Sequence, residues 1–149
     1  MEQNKTKIYN PFDSLSYTQS QNVVNFLYTH LQEYGDEKKD IKKAIDYAMR
    51  EISSVGGYVV INYSQMDEII GAVVVNKTGM GGYIPENILV YIAIHKDYRG
   101  KGVGKKLMQD ALENAEGDVA LHVEPDNPAR FLYEKLGFEN KYLEMRYKK

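Results

Sequence analysis

From Thr18 to Tyr34 the apolar residues Val23, Phe26, Leu27, Leu31 and Tyr34 recur at steps of three and four, the spacing of one face of an α-helix. Gly35 ends that segment. Asp36 and Glu37 then open a second helix with the negative charge a helix N-terminus favours. Ile41, Ala44, Ile45, Ala48, Met49 and Ile52 form its apolar stripe, and the run DEKKDIKK is its solvated face. Gly56–Gly57 breaks the period, and the pattern changes to strands over 58–63 and 68–76, joined by a turn at Ser64–Asp67. After a loop over Thr78–Gly82, residues 87–95 (NILVYIAIH) are almost continuously apolar, as expected of a strand in the middle of a sheet covered on both faces. Helical spacing returns over 103–115, with Val103, Leu107, Met108, Ala111, Leu112 and Ala115 on one side. A short strand over 118–123 follows. Residues 127–136 carry the signs of a helix: Asn127 as N-cap, Pro128 in the first turn, Gly137 just past the end. Lys5–Tyr9 predicts a short edge strand, and Phe138 with Tyr142–Tyr147 predicts a closing hairpin. The expectation is one mixed α/β domain over residues 1–149, a central sheet with flanking helices.

Composition narrows the chemistry. A chain of 149 residues is the size of one domain and buries enough surface to need no covalent staple. It has no cysteine, which excludes disulfides, thiolate metal sites and thiol nucleophiles and suits a cytoplasmic protein. The polar start, MEQNKTKIYNPFD, lacks the apolar stretch of a signal peptide. The longest apolar run, Ile69 to Val75 around Gly71, is far too short to span a membrane. A net charge of −2 gives no electrostatic footprint for nucleic acid. Thirteen tyrosines stand against four Phe and no Trp; most read as ordinary strand and surface residues, although tyrosine also suits half-wet clefts.

The most informative segment runs from Tyr91 to Met108. A buried strand enters a loop with Gly100, Gly102 and Gly104, and the loop feeds a helix. Such glycines let backbone N–H groups converge, the helix N-terminus adds about half a unit of positive charge, and Arg99, Lys101, Lys105 and Lys106 surround the point. This is a pyrophosphate cradle. It is not a Walker loop, because only three residues separate Gly100 from Gly104 and Lys106 stands where a Ser or Thr should bind Mg²⁺. Nor is it a dinucleotide fingerprint, which would need a glycine three residues after Gly102, where Lys105 stands.

Arg99-Gly-Lys-Gly-Val-Gly104 resembles the acetyl-CoA pyrophosphate loop of the GNAT acetyltransferase superfamily, Gln/Arg-x-x-Gly-x-Gly/Ala. Arg99, Gly102 and Gly104 occupy its fixed positions. Some thirty residues on, Asn127-Pro-Ala-Arg-Phe-Leu-Tyr-Glu-Lys-Leu-Gly-Phe138 looks like the same superfamily's second motif, in which an Asn opens a helix, a Tyr follows and Gly-Phe closes it. The spacing from Asn127 to Tyr133 is one residue shorter than in many members. The likeness in element order covers roughly residues 57–147, and the two initial helices also fit it.

The resemblance implies a GNAT-like fold, with the sheet splayed at the cofactor site. It also implies acetyl transfer from acetyl-CoA to an amine in a ternary complex, with no metal and no covalent enzyme intermediate. The donor would lie along Ile92, Ala93 and Ile94, with Arg99, Gly100, Lys101, Gly102, Val103, Gly104 and Lys105 at the pyrophosphate and Asn127 and Arg130 nearby. Tyr133 holds the position of the acid that protonates the CoA thiolate, against the alternative that it packs with Ala129, Leu132 and Leu136. Arg130 either reaches a CoA phosphate or pairs with Glu134. Glu86 is the candidate base: steps of two from Ile94 through Ile92, Val90 and Ile88 put it on one face of a regular strand, and histone-type members carry a glutamate at that distance from the loop. It would need its pKa raised by Tyr83, Ile84 and Ile88. Pro85 and the Gly79–Gly82 loop argue instead for a solvated strand end. His95 or a water chain are the other bases; His30 and His122 read as structural, Glu124 and Asp126 as turn residues. The expected partners are acetyl-CoA and an amine acceptor, either a small amine or polyamine or a protein lysine or N-terminus. A homodimer is admissible, and neither nucleic acid nor membrane is expected. The competing classes are a non-catalytic acyl-CoA sensor and a nucleic-acid-directed acetyltransferase, the latter disfavoured by the acidic balance.

Overall fold

The computed structural model describes residues 4–149. Five strands make one sheet in the order β1-β2-β3-β4-β5. They are β1 (Lys5–Tyr9), β2 (Gly57–Tyr63), β3 (Ile69–Lys77), β4 (Asn87–Ile94) and β5 (Val119–Leu121). The first four are antiparallel, and β5 runs parallel to β4. The alternation of β2 and β3 builds two cores. Val59, Ile61, Ala72 and Val74 pack under α1 (Tyr17–Leu31) and α2 (Lys38–Met49). Tyr58, Val60, Val73 and Val75 pack under α3 (Val103–Glu113) and α4 (Ala129–Lys135).

Local chemistry sets the helix ends. Ser16 and Gln19 form a capping box at the start of α1, which satisfies amide groups a bare terminus would leave unpaired. A single 3₁₀ turn, Gln32–Tyr34, carries the chain from α1 to Gly35. In α2, Ile41, Ile45, Ala48 and Met49 are buried as the stripe predicts. Ile52 does not belong to that stripe: Arg50 turns left-handed (φ 59°), ends the helix, and leaves Ile52 42% exposed.

Two departures from the expected strands matter. In β4, Val74 pairs with Tyr91 and Val75 with Leu89, so Val90 is an extra residue in a β-bulge. Beyond it the parity of the strand is reversed. Leu89, Ile92 and Ile94 face α3 and α4, whereas Val90, Tyr91 and Ala93 face α1 and α2. The single face expected through Ile88, Val90, Ile92 and Ile94 to Glu86 therefore does not exist. The bulge also ends the β5 pairing, which covers only Asn87↔Val119, Ile88↔Ala120 and Leu89↔Leu121. From Val90 onward β4 and β5 are splayed.

The closing hairpin is not formed. Phe138 packs into the α3–α4 core, but residues 139–149 form neither helix nor strand, and Tyr142, Leu143, Met145 and Tyr147 are exposed. Alternation describes a chain that suits a ladder; it does not supply the second strand a hairpin needs.

Candidate active site

The end of β4 is built for an anion. After Ile94, His95 caps a 3₁₀ turn, Lys96–Tyr98, and the loop enters α3 through Gly100 and Gly102. Both glycines are left-handed (φ 76° and 83°), and a Cβ on either would meet nothing within 4 Å. Backbone shape, not crowding, requires them, and the space above them is open. Gly104 differs: it is not left-handed, and a Cβ there would make ordinary contact with Ile94 and Leu132 at 3.5 Å, where β4, α3 and α4 meet. A cavity of about 270 Å³ results, bounded by Ile94 and Leu132, by the loop from Tyr98 to Gly102, and by Gly104 and Lys105. The first hydrogen bond of α3 runs from the Lys106 N–H to the Gly102 carbonyl, which leaves the N–H groups of Val103, Gly104 and Lys105 outside the helix ladder. Those donors, the helix dipole and Lys105 fit a pyrophosphate. Lys101 lies over the Tyr98 ring at 5.5 Å, and Lys106 pairs with Asp110 at 2.7 Å.

Three side chains expected at the donor have partners within the protein, and one of them, Arg99, also lines the cavity. Arg99 donates to the Ile94 carbonyl (Nε, 3.2 Å) and to the His30 carbonyl (Nη2, 2.8 Å), tying α1 to the end of β4. Arg130 pairs with Glu134 one turn on, at 3.3 Å. Asn127 caps, but from a different place: its Oδ1 accepts the Ala129 N–H at 2.9 Å, and α4 begins at Ala129.

The strand itself offers backbone. The His95 N–H donates to Ile70 of β3 (2.8 Å), which fixes the alternation along this end of β4. Residues 91, 93 and 95 turn their polar groups to β3; Ile92 and Ile94 turn theirs to the gap left by β5. Tyr133 lies in the apolar cluster that also receives Ile92 and Ile94. It is buried, with Phe138 edge-on at 6.0 Å, and burial alone pushes its phenol up to about 12.

Glu86 belongs to the other end. It precedes β4, whose eight residues span about 26 Å before the glycine loop is reached. Its Oε1 accepts the Asp118 N–H at 2.9 Å, and that bond chiefly holds the carboxyl below its ordinary value, where a base would need it raised. Asn87 beside it is buried and donates to the carbonyls of Glu116 (2.9 Å) and Asp118 (3.2 Å). Together the pair dock the turn that starts β5. Glu86→Gln keeps the accepting oxygen, so kcat/KM near neutrality should stay within about threefold of the parent and the acidic limb should be unchanged. A pH–rate profile that loses its acidic limb would show that Glu86 is the base.

Other contacts had no local signal in the sequence. The Tyr91 hydroxyl donates to Asp36 at 2.5 Å; burial first and this bond second push its phenol up. The Tyr34 hydroxyl donates to the Asp126 carbonyl at 3.3 Å, linking the turn after α1 to the loop before α4; burial first, then Asp126, Glu33 and Glu124, push its phenol up. His122 is exposed. Among the described residues no group of three His, Cys, Asp or Glu is placed to hold a metal, and no helix is long and apolar enough to cross a membrane.

Residues 55–140 match the family model described as an acetyltransferase (GNAT) domain. A curated relative, N-alpha-acetyltransferase 30 of Schizosaccharomyces pombe, is 35% identical over 77 residues, covering 48% of this chain and 51% of the relative. The chain thus spans about half the length of that relative. Among solved structures, the aminoglycoside N-acetyltransferase AAC(6')-Iy in complex with CoA superposes with a TM-score of 0.70 at 14% identity, covering 100% of this chain and 96% of that one. A GNAT family acetyltransferase from Streptococcus pneumoniae gives 0.69 at 15% identity, covering 99% and 98%. The ribosomal-protein-alanine N-acetyltransferase of Brucella melitensis gives 0.64 at 15%, covering 98% and 99%. At these identities the structures speak for the fold, and the match over residues 55–140 speaks for the family. A glycine cradle at the end of a splayed β4, followed by the helix that carries Tyr133, is thus found in a chain that belongs to the GNAT acetyltransferases, enzymes that take their acyl group from acetyl-CoA.

Proposed function

We propose that this chain transfers an acetyl group from acetyl-CoA to the α-amine of a peptide by direct attack in a ternary complex. The observation that carries the mechanism is the backbone β5 leaves uncovered, the Ile92 peptide groups and the Ile94 N–H, since Arg99 takes the Ile94 carbonyl; Ile94 lines the glycine cradle, and Ile92 packs in the cluster that holds Tyr133. The pyrophosphate of the donor substrate sits on the α3 N–H groups and Lys105. The Ile92 N–H meets the thioester oxygen as it gains charge. The amine nitrogen attacks the carbonyl carbon, the C–S bond breaks, and CoA leaves as a thiolate. Tyr133, kept protonated by burial, gives it a proton, and the proton lost by the attacking amine passes through water back to the Tyr133 phenolate. The chain has no cysteine that would carry the acyl group on a thiol.

The α-amine follows from proton arithmetic and from the curated relative's name. A lysine amine near pKa 10.4 is neutral in fewer than about one molecule in a thousand at pH 7, whereas an α-amine near 7.7–8.0 is neutral in about one in ten. With the Glu86 carboxyl held low, the acceptor that needs the least help is the better fit. The relative bears the name N-alpha-acetyltransferase. Peptides with a free N-terminus should show kcat/KM at least about tenfold above the same peptides blocked at the α-amine but carrying lysine, read as free thiol and located by mass spectrometry. Equal rates, or preference for lysine or polyamine, would reassign the acceptor.

A further inference from the structure

We propose that His30 and His95 are positioning residues for the donor loop, which keeps its binding geometry only while both Nδ1 atoms act as hydrogen-bond acceptors. The inference rests on the donor site described above. His95 Nδ1 accepts the Asp97 N–H at 3.1 Å, and His30 Nδ1, from α1, accepts the Lys96 N–H at 3.3 Å. Lys96 and Asp97 open the 3₁₀ turn, Lys96–Tyr98, that leads to the glycine loop, and Tyr98 lines the donor cavity. The His30 carbonyl also receives Arg99 at 2.8 Å, so one residue of α1 grips both ends of the segment 96–99. The two imidazoles lie 4.4 Å apart and tilted by 37°, between Phe26 against His30 (4.6 Å) and Tyr98 edge-on to His95 (5.6 Å).

An imidazole nitrogen that accepts carries no proton; protonation turns it into a donor facing another donor. Both rings are thus held as the Nε2–H tautomer, and a proton on either Nδ1 breaks the bond it makes to the turn. The surroundings oppose that proton on His30. Burial, then His95, Arg99 and Lys96, lower its pKa below 6.5, and only Asp97 acts the other way. The Asp97 carboxylate also lies 3.9 Å from His95 Nδ1, and Asp67 and Glu68 of the β2–β3 turn share a groove with His30. Because the folded pKa of His30 is depressed, the arrangement is complete above 6.5 and is lost as pH falls through the lower folded value. Donor binding should weaken with it.

The test uses the full chain, CoA calorimetry from about pH 7.5 to 5.5, and amide exchange at Lys96 and Asp97 without ligand. CoA's own 3′-phosphate titrates near about pH 6, so the control is the double variant His30→Asn/His95→Asn, whose Oδ1 atoms replace Nδ1 as acceptors and do not ionise. Across that interval the parent should lose at least about fivefold more affinity than the Asn double, and Lys96 and Asp97 should lose protection in the parent alone. The double variant His30→Ala/His95→Ala should bind CoA about fivefold or more weakly even at the upper pH, and the Asn double should recover most of that loss. Equal pH slopes in parent and Asn double, or parental affinity and protection in the Ala double, would overturn the inference while leaving the donor site intact. A folded parent that binds no CoA at either pH would instead overturn the donor site, and the inference with it.

Discussion

Tyr133→Phe should lower kcat by roughly 10²–10⁴-fold with little change in KM for acetyl-CoA, measured as free thiol released under saturating acceptor. The substitution removes one oxygen and keeps the ring. Tyr133 contributes that ring to the core between the sheet and α3, with Phe138 against it, and Phe fills the same space. Burial accounts for the whole rise of its pKa, with no hydrogen bond or charged neighbour contributing, so the variant strands no protein partner and should be at least as stable as the parent. The phenol, pushed up to about 12, stays protonated across the working range, as a donor to a leaving thiolate must. For the same reason Tyr133 should produce no alkaline limb in kcat below about pH 11. Its linkage to stability has the same sign: a raised folded pKa contributes fully below the unfolded value near 10 and is lost as pH rises toward about 12. A kcat within about threefold of the parent would reduce Tyr133 to packing or show that another step limits turnover.

What the sequence made legible is what depends on neighbours along the chain. The stripe Ile41, Ala44, Ile45, Ala48 and Met49 lies on one face because an α-helix fixes that spacing, and four of its members are fully buried while Ala44 is partly so. Gly100 and Gly102 announced the loop because glycine lets the backbone turn where a side chain would resist, and both are left-handed. The strands 58–63 and 68–76 were readable to within a residue or so at each end for the same reason.

What failed to show is what depends on partners. The run NILVYIAI is apolar at both parities, so a bulge at Val90 exchanges the two faces without leaving a mark in the pattern. Glu86 was aligned with Ile94 by counting through that bulge; a polar residue on one parity would have exposed the slip. Arg99 was expected at the pyrophosphate because it begins the motif, and it does line the cavity; its contact with a carbonyl 69 positions earlier, on α1, had no sign in the sequence. His30 read as structural and His95 as an alternative base, but a side chain such as His30, which accepts a backbone N–H 66 positions away, has no local signature. Tyr142, Leu143, Met145 and Tyr147 are the converse case: their alternation is plain, and only the tertiary structure shows that it meets no ladder.

Gly104→Asp should separate the donor site from the fold. Gly104 is not left-handed, and a Cβ there makes only ordinary contacts with Ile94 and Leu132, so an aspartate enters without backbone strain. It falls in the first turn of α3, a helix with no acidic residue there, where a carboxylate interacts favourably with the dipole by about 0.3–1 kcal/mol. The thermal midpoint should therefore hold or rise slightly. The same carboxylate lies against the cavity between Ile94, Lys105 and Leu132, beside the N–H groups that the pyrophosphate requires. It competes for those donors, neutralises Lys105 and repels the ligand, and CoA affinity should fall by at least about tenfold, with two such effects acting together bringing it toward a hundredfold. Gly102→Asp is the poorer probe: at φ 83° a non-glycine residue adds about 1–2 kcal/mol of backbone strain, so a loss of binding there would mix site with fold. Calorimetry on Gly104→Asp with an unchanged midpoint and a CoA affinity within about twofold of the parent would show that the donor does not use this cradle.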